Sequence, residues 1–205
     1  MARKTKEDAE QTRQAILDSA LQTFYEKGFS RTTFDEIAKR INLTKGAVYW
    51  HFRNKADIIA ALISQKVAEQ SRFYPDETPD NVSSLRQAII NRAQAIEKDD
   101  EFRRFLFFIN YRMEWSETVL NNVWTQIADI IELSDKKLYN CLLHIKDNGG
   151  IKPEVDVKSL QEILLCLWKG CINRYIIDKN TNTNLTKTIT AGFDAVIAGV
   201  KVEKK

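Results

Sequence analysis

Thr44, Lys45, Gly46, Tyr49, Trp50, His51, Arg53 and Lys55 all fall within one short stretch, TKGAVYWHFRNK, residues 44–55. Two large flat side chains stand there side by side among positive charges. A buried core rejects such charges, and an ordinary solvated face has no use for the aromatics. A nucleic acid accepts both, because it carries apolar base edges inside a charged backbone. Thr44 is placed to cap a helix, and the N–H groups of a first helical turn, with the helix dipole, favour phosphate. Lys45 adds a charge, and Gly46 lets the backbone come close with no Cβ in the way. Tyr49 stands four residues after Lys45, on the same face. Its ring can rest on a thymine methyl or a sugar while its hydroxyl reaches a phosphate. Val48 and Phe52 share another face and are expected to pack inward, with Trp50, His51 and Lys55 flanking the exposed one.

Short capped helices must hold such a surface. Residues 7–27 carry Ile16, Leu17, Ala20, Leu21 and Phe24 at helical spacing, and Gly28 stops that helix. Thr33 followed by Glu36 has the form of a capping box. Phe34, Ile37, Ala38 and Ile41 then face inward from a helix of about two turns, Asn42-Leu43 turns the chain, and Thr44 opens the next helix. A longer helix followed by two short ones across a tight turn is the outline of a helix-turn-helix.

The remaining periodicity predicts helices near 55–73, 82–96, 118–146, 155–178 and 185–200, with DDEFRRFLFFINYRMEW as a separate aromatic-rich helix. Asn148-Gly149-Gly150 is a strong helix stop. PDETPD reads as a loop and domain boundary, NTNTN as a polar loop, and KVEKK as a charged tail. The fold expected is all-α, with about nine helices. A three-helix N-terminal domain with a basic arm occupies residues 1–54, and a helical body occupies 55–205.

Composition narrows the function classes. Only 7 Gly and 3 Pro punctuate 205 residues, too few for a strand-rich chain. The net charge of +3 lies wholly in residues 1–60, where 11 Lys and Arg meet 8 Asp and Glu; the rest balances at 20 against 20. A basic end on a neutral body suits a module that meets a polyanion. Cys141, Cys166 and Cys171 have neither disulfide-scaffold nor zinc-site spacing and are expected to be small buried apolar residues. No metal or cofactor is expected. The only histidines, His51 and His144, stand far apart in sequence, and no Gly-rich phosphate loop or HExxH occurs, so an enzyme is not expected. No apolar run approaches the roughly 20 residues of a membrane span, and MARKTKEDAEQ lacks the apolar core of a signal peptide. The expectation is a soluble cytoplasmic protein.

Residues 11–60 resemble the DNA-binding domain of the TetR family. The resemblance rests on Thr12-Arg13, Ile16-Leu17, Ala20, Phe24, Gly28-Phe29, Thr32-Thr33 and Ile37-Ala38. It is strongest in the run Gly46-Ala47-Val48-Tyr49-Trp50-His51-Phe52 with Lys55. The opening MARKTKEDAEQTRQAIL and the YWHF variant are most similar to the AcrR-type repressors of multidrug efflux pumps. The resemblance implies that Thr33, Tyr49, His51 and Lys55 touch phosphate. It implies that Thr44, Lys45 and Gly46 meet base edges and backbone, that Trp50 lies beside them, and that Arg3, Lys4 and Lys6 form a groove-tracking arm. Each has a plainer alternative. Lys55 caps a helix, His51 bridges helices, Trp50 is core, and the arm only solubilises.

The body is read in the same two ways. Leu160, Ile163, Leu164, Leu167, Trp168, Cys171, Ile172, Tyr175 and Ile176 form one apolar stripe, and Ile189, Phe193, Val196, Ile197 and Val200 another. A single helix-turn-helix reads a half-site, so a dimer on a palindromic operator is the usual solution. The family pairs its last two helices across such a dimer, and the stripes fit that, a purely internal core being the alternative. Phe102, Phe105, Phe108, Tyr111, Trp115, Trp124 and Trp168 are dense enough to line a cavity for a flat hydrophobic ligand, cationic ones included, with Glu114 or Glu132 as counter-charge. Phe107, Tyr111 and Trp115 are spaced to share one face. The function expected is a ligand-responsive DNA-binding regulator, a repressor of efflux genes released from its operator by a hydrophobic small molecule. The alternative is a ligand-independent DNA-binding regulator with a filled C-terminal core.

Overall fold

The computed structural model describes residues 6–71, 79–177 and 184–202. Among them run nine α-helices: α1 (Lys6–Lys27), α2 (Phe34–Arg40), α3 (Lys45–His51), α4 (Lys55–Ser71), α5 (Val82–Lys98), α6 (Asp100–Phe107), α7 (Glu117–Asp147), α8 (Val157–Ile177) and α9 (Leu185–Val200). A π-turn, Phe108–Arg112, continues α6. The chain divides into two compact units. One holds the described residues up to Val67 together with Phe108–Asp129; the other holds Ala68–Phe107 and the residues from Ile130 onward. The first unit therefore takes in more than the three helices of residues 1–54, since the start of α4 and a later segment join it.

Local chemistry sets the helix ends. α1 closes at Gly28, whose φ of 84° suits a residue without Cβ and whose N–H bonds to the Phe24 carbonyl at 2.9 Å. Thr33 and Glu36 form the expected capping box of α2. At its other end Asn42 takes φ 54°, while the Asn42 and Leu43 N–H groups bond back to the Lys39 and Ala38 carbonyls. This is a Schellman turn, and Asn tolerates its left-handed position better than most residues. The same pairing ends α7. Gly149 has φ 72°, Gly149 N–H meets Lys146 O, and Gly150 N–H meets Ile145 O. A Cβ on Gly150 would lie 2.7 Å from Ile145 Cγ2, so both glycines of the stop are used.

In the first unit Ile16, Leu17 and Phe24 of α1 pack with Ile37, Val48, Ile58 and Ile59 as fully buried core. The second unit has its own cluster, with Leu85 of α5, Leu142 and Ile145 of α7, Leu160 and Leu164 of α8, and Phe193 and Ile197 of α9. α5 and α9 run antiparallel: Glu97 accepts from Thr186 N–H and Oγ1, and Arg86 forms a two-pronged pair with Asp194 at 2.7 and 2.8 Å. α8 and α9 meet closely at Gly192, where a Cβ would lie 2.7 Å from Leu167 Cδ1.

Two expectations are corrected. The aromatic segment is not one α-helix, because its second half winds into the π-turn and the chain leaves helical form before Glu117. The cysteines are not all buried. Cys141 is, with burial pushing its thiol up to about 11, but Cys166 lies exposed on the outer face of α8 and Cys171 is half-buried. Arg3 and Lys4 of the arm, all but the last two residues of PDETPD, the start of NTNTN and the end of KVEKK lie outside the described residues. Asn184 of NTNTN caps α9, and Lys201 forms an antiparallel bridge with Ile151.

Candidate nucleic-acid interface

α3 carries the site. Thr44 Oγ1 accepts the Ala47 N–H at 3.2 Å and starts the helix. Val48 and Phe52 anchor it, both buried. The opposite face is open. Thr44, Lys45 and Gly46 are exposed, Tyr49 is 52% exposed and Trp50 is 74% exposed. The plainer reading of Trp50 as core is thereby excluded. Its indole meets the half-buried His51 ring edge-on at 4.5 Å. Tyr49 is held from beneath by Phe34 of α2, ring centres 4.8 Å apart, while Lys45 Nζ sits 5.6 Å above its ring. Two aromatics thus stand in solvent in defined positions beside a cation, which is what stacking on sugars and base edges near phosphate requires.

Two expected phosphate contacts are differently engaged. Lys55 Nζ donates to the Phe29 and Ser30 carbonyls at 2.6 and 3.0 Å and lies 4.7 Å over the Phe29 ring. Partial burial draws its pKa down, against the opposing charges of Glu114 and Glu36. The ammonium locks the α1–α2 turn to the start of α4. Thr33 is exposed but gives both its N–H and its hydroxyl to Glu36 Oε2, at 2.9 and 3.0 Å. Glu36 is held down to about 2, first by its hydrogen bond from Lys27 and then by those from Thr33.

Other side chains, not singled out from sequence, support the surface. Arg13 covers the Phe52 ring at 5.3 Å, and Phe34 lies under Tyr49. Asn54 Oδ1 accepts from Asp57 N–H at 2.9 Å, and Asp57 Oδ2 accepts from Arg53 N–H at 3.1 Å. Asn and Asp three residues apart are a capping signal legible in sequence. The Arg53 side chain is exposed just past α3. Basic groups of α1 and α2 pair with acids: Lys27 with Glu36, Lys39 with Asp35, and Arg40 with Glu26.

The seven aromatics expected to line one cavity are divided between the two units. Phe102, Phe105 and Trp168 belong to the second unit, and Phe108, Tyr111, Trp115 and Trp124 to the first. Phe102, Phe105 and Phe108 are buried, but Tyr111 and Trp124 are exposed, the latter by 54%, and do not line an enclosed space. Trp168 lies under Arg92, whose guanidinium is 4.5 Å from its ring centre. The π-turn is the physical reason for part of this: it holds one residue more than an α-turn, so the four-residue steps from Phe107 to Tyr111 and Trp115 do not keep one face. Each proposed counter-charge has a partner within its own unit. Glu114 accepts from Ser30 Oγ, and Glu132 pairs with Lys136 at 2.5 Å.

Comparison with known proteins places this geometry. Residues 16–62, from mid-α1 into α4, match the bacterial regulatory proteins of the tetR family. The N-terminal part of the chain thus carries a tetR-family regulatory domain. It is similar to the HTH-type transcriptional regulator SrpR of Pseudomonas putida, 26% identical over 198 residues that span 96% of this chain and 90% of that one. It is also similar to the HTH-type transcriptional regulator AcrR of Shigella flexneri, 37% identical over 119 residues, 56% and 55% of the two chains. Its fold matches NalD of Pseudomonas aeruginosa, described as the secondary repressor of the MexAB-OprM multidrug efflux pump. That match has a TM-score of 0.79 and 23% identity over 96% of this chain and 100% of that one. The chain is accordingly a DNA-binding regulator of transcription and not an enzyme. Among the described residues no helix is long and apolar enough to cross a membrane.

Proposed function

We propose that the chain represses genes of a multidrug efflux system, binding a palindromic operator as a dimer and leaving it when a hydrophobic small molecule binds the body. The observation that carries the DNA-binding part is the open face of α3, with Tyr49 and Trp50 in solvent over a buried Val48–Phe52 anchor. Lys45, Gly46 and Thr44 supply the charge, the close approach and the cap. The efflux part draws on NalD and on the resemblance to AcrR-type repressors. For the dimer, α8 and α9 present outward faces suited to another helix pair. Ile163 and Ile177 are exposed on α8, and Ala191, Ala195, Ala198 and Gly199 are exposed on α9, where small side chains allow close approach.

For the ligand, Phe102 and Phe105 of α6 and Trp168 of α8 are the aromatic groups retained, all in the second unit. The ligand class is a hydrophobic small molecule, cationic ones included. Release requires that the ligand bind the DNA-incompetent form better than the competent one. The test is fluorescence anisotropy of the full chain on DNA from just upstream of its own gene, against scrambled DNA, over a salt series. Palindrome-dependent binding that weakens steeply with salt is expected. Equal affinity for both DNAs would contradict the reading.

A further inference from the structure

The chain enters the first unit at Phe108, the first residue of the π-turn. From there a single segment reaches three supports of the reading head. The Phe108 ring stacks on Phe24 at 6.0 Å, with 4° between the planes, and meets Tyr25 edge-on at 5.6 Å. Arg112 donates to the Tyr25 carbonyl at 3.3 Å, in the last turn of α1. Glu114 accepts from the Ser30 hydroxyl and lies over the Gly28 turn, 4.0 Å from where a Cβ would stand. Its charge also acts on Lys55, whose ammonium holds the carbonyls on either side of the Phe29–Ser30 peptide. Gln126 of α7 donates to Asp57 Oδ1 at 3.1 Å, and Asp57 in turn caps the Arg53 N–H at the start of α4. The end of α1, the α1–α2 turn and the start of α4 are the pieces between which α2 and α3 are strung. None of the groups on this segment lies on the open face of α3.

The π-turn sets how this segment engages. Met113 N–H bonds to the Phe108 carbonyl at 2.8 Å, a five-residue step, and Trp115 Nε1 takes the Ile109 carbonyl at 2.9 Å. A return to four-residue pairing would rotate every following side chain by about 100°. Arg112 would swing off Tyr25, and Glu114 off Ser30.

We propose that Glu114 is a positioning residue for DNA binding: held out by the π-turn, it fixes the α1–α2 turn and Lys55, and through them the posture of α2 and α3. This rests on the reading of the chain as a DNA-binding regulator. Glu114 touches no DNA in this scheme. Its carboxylate accepts from the Ser30 hydroxyl while Lys55 donates to the carbonyls of the same turn, so its loss frees the Ser30 side of the turn while leaving the buried core untouched.

The experiment uses the full chain and two readouts. Hydrogen–deuterium exchange is followed in peptides covering residues 28–33 and 55–60, and anisotropy on the upstream DNA is measured for the same samples. Glu114→Ala is expected to speed exchange in both peptides and to weaken DNA binding about fivefold, in the range of ordinary coupling between sites. Its melting temperature is expected to match the wild type. Glu114→Gln, which keeps an acceptor for Ser30, should restore most of the protection. Ser30→Ala combined with Glu114→Ala should be no worse than Glu114→Ala alone, because both remove one interaction. Glu132→Ala, which breaks a surface pair in the second unit, should change neither readout. Wild-type exchange and affinity in Glu114→Ala, or additive losses in the double variant, would overturn the proposal. Absence of sequence-dependent binding by the wild type would instead reject the DNA reading, while the exchange arm would still decide whether Glu114 holds the turn.

Discussion

Residues 45–52 and residues 100–115 are both rich in aromatic side chains and both short, and they use those side chains in opposite ways. In α3 the rings of Tyr49 and Trp50 stand in solvent, supported from below by Phe34 and beside His51. In α6 and the π-turn Phe102, Phe105 and Phe108 turn inward, Phe108 being 1% exposed. Aromatic density alone therefore does not separate the two uses. In the first, the informative signal was the company the rings keep: a cap at Thr44, a glycine at 46, a cation four residues before Tyr49, and apolar anchors at 48 and 52. Exposed rings held in place are a contact surface, and buried rings at helical spacing are packing until a cavity shows otherwise.

The comparison can be broken first at Phe108. Phe108→Ala removes a fully buried ring stacked between Phe24 and Tyr25, and a loss of about 3–5 kcal/mol is expected in denaturant unfolding. A loss under about 1 kcal/mol would mean the segment is not packing at all. Thr44→Ala leaves the Ala47 N–H without its cap and is expected to cost about 1 kcal/mol by the same measurement. Lys45→Ala should leave unfolding unchanged, weaken binding to operator and scrambled DNA alike, and reduce the salt slope by about one ion.

The smallest expected effect is in pH. Glu36 is held down to about 2, so its contribution is present above the unfolded carboxylate range near 4.5 and is lost as pH falls toward 2. Stability measured from pH 5 to 2 should decline less in Glu36→Gln than in the wild type. Parallel declines would show that the capping box does not depend on the charge.

The same contrast shows what sequence could and could not reveal. Every helix of the first 60 residues was legible, because caps and stops there act over three to five residues: Thr33 with Glu36, Asn42 in the turn, Thr44 with Ala47. The ends of α9 were legible for the same reason. The π-turn was not, since FINYR fits an α-helix as well and only the contacts with α1 select the wider winding. Nor was the engagement of Glu114 with Ser30 or of Arg112 with Tyr25, partners 84 and 87 residues apart in the chain. Lys55 carried two open readings, phosphate contact or cap, and neither foresaw that its ammonium reaches the Phe29 and Ser30 carbonyls, some 25 residues back in the chain. Cys166 was not legible because the usual burial of cysteine is a tendency of the residue type and says nothing about a given position.

The most direct test of the central claim compares Tyr49→Ala with the wild type in two measurements on one sample, DNA affinity at fixed salt and thermal unfolding. A surface ring poised for DNA predicts at least about tenfold weaker binding to the upstream DNA, with unfolding and dimer unchanged. Unaltered affinity with lowered stability would place Tyr49 with Phe108, as packing, and would contradict the account of α3 as the reading surface.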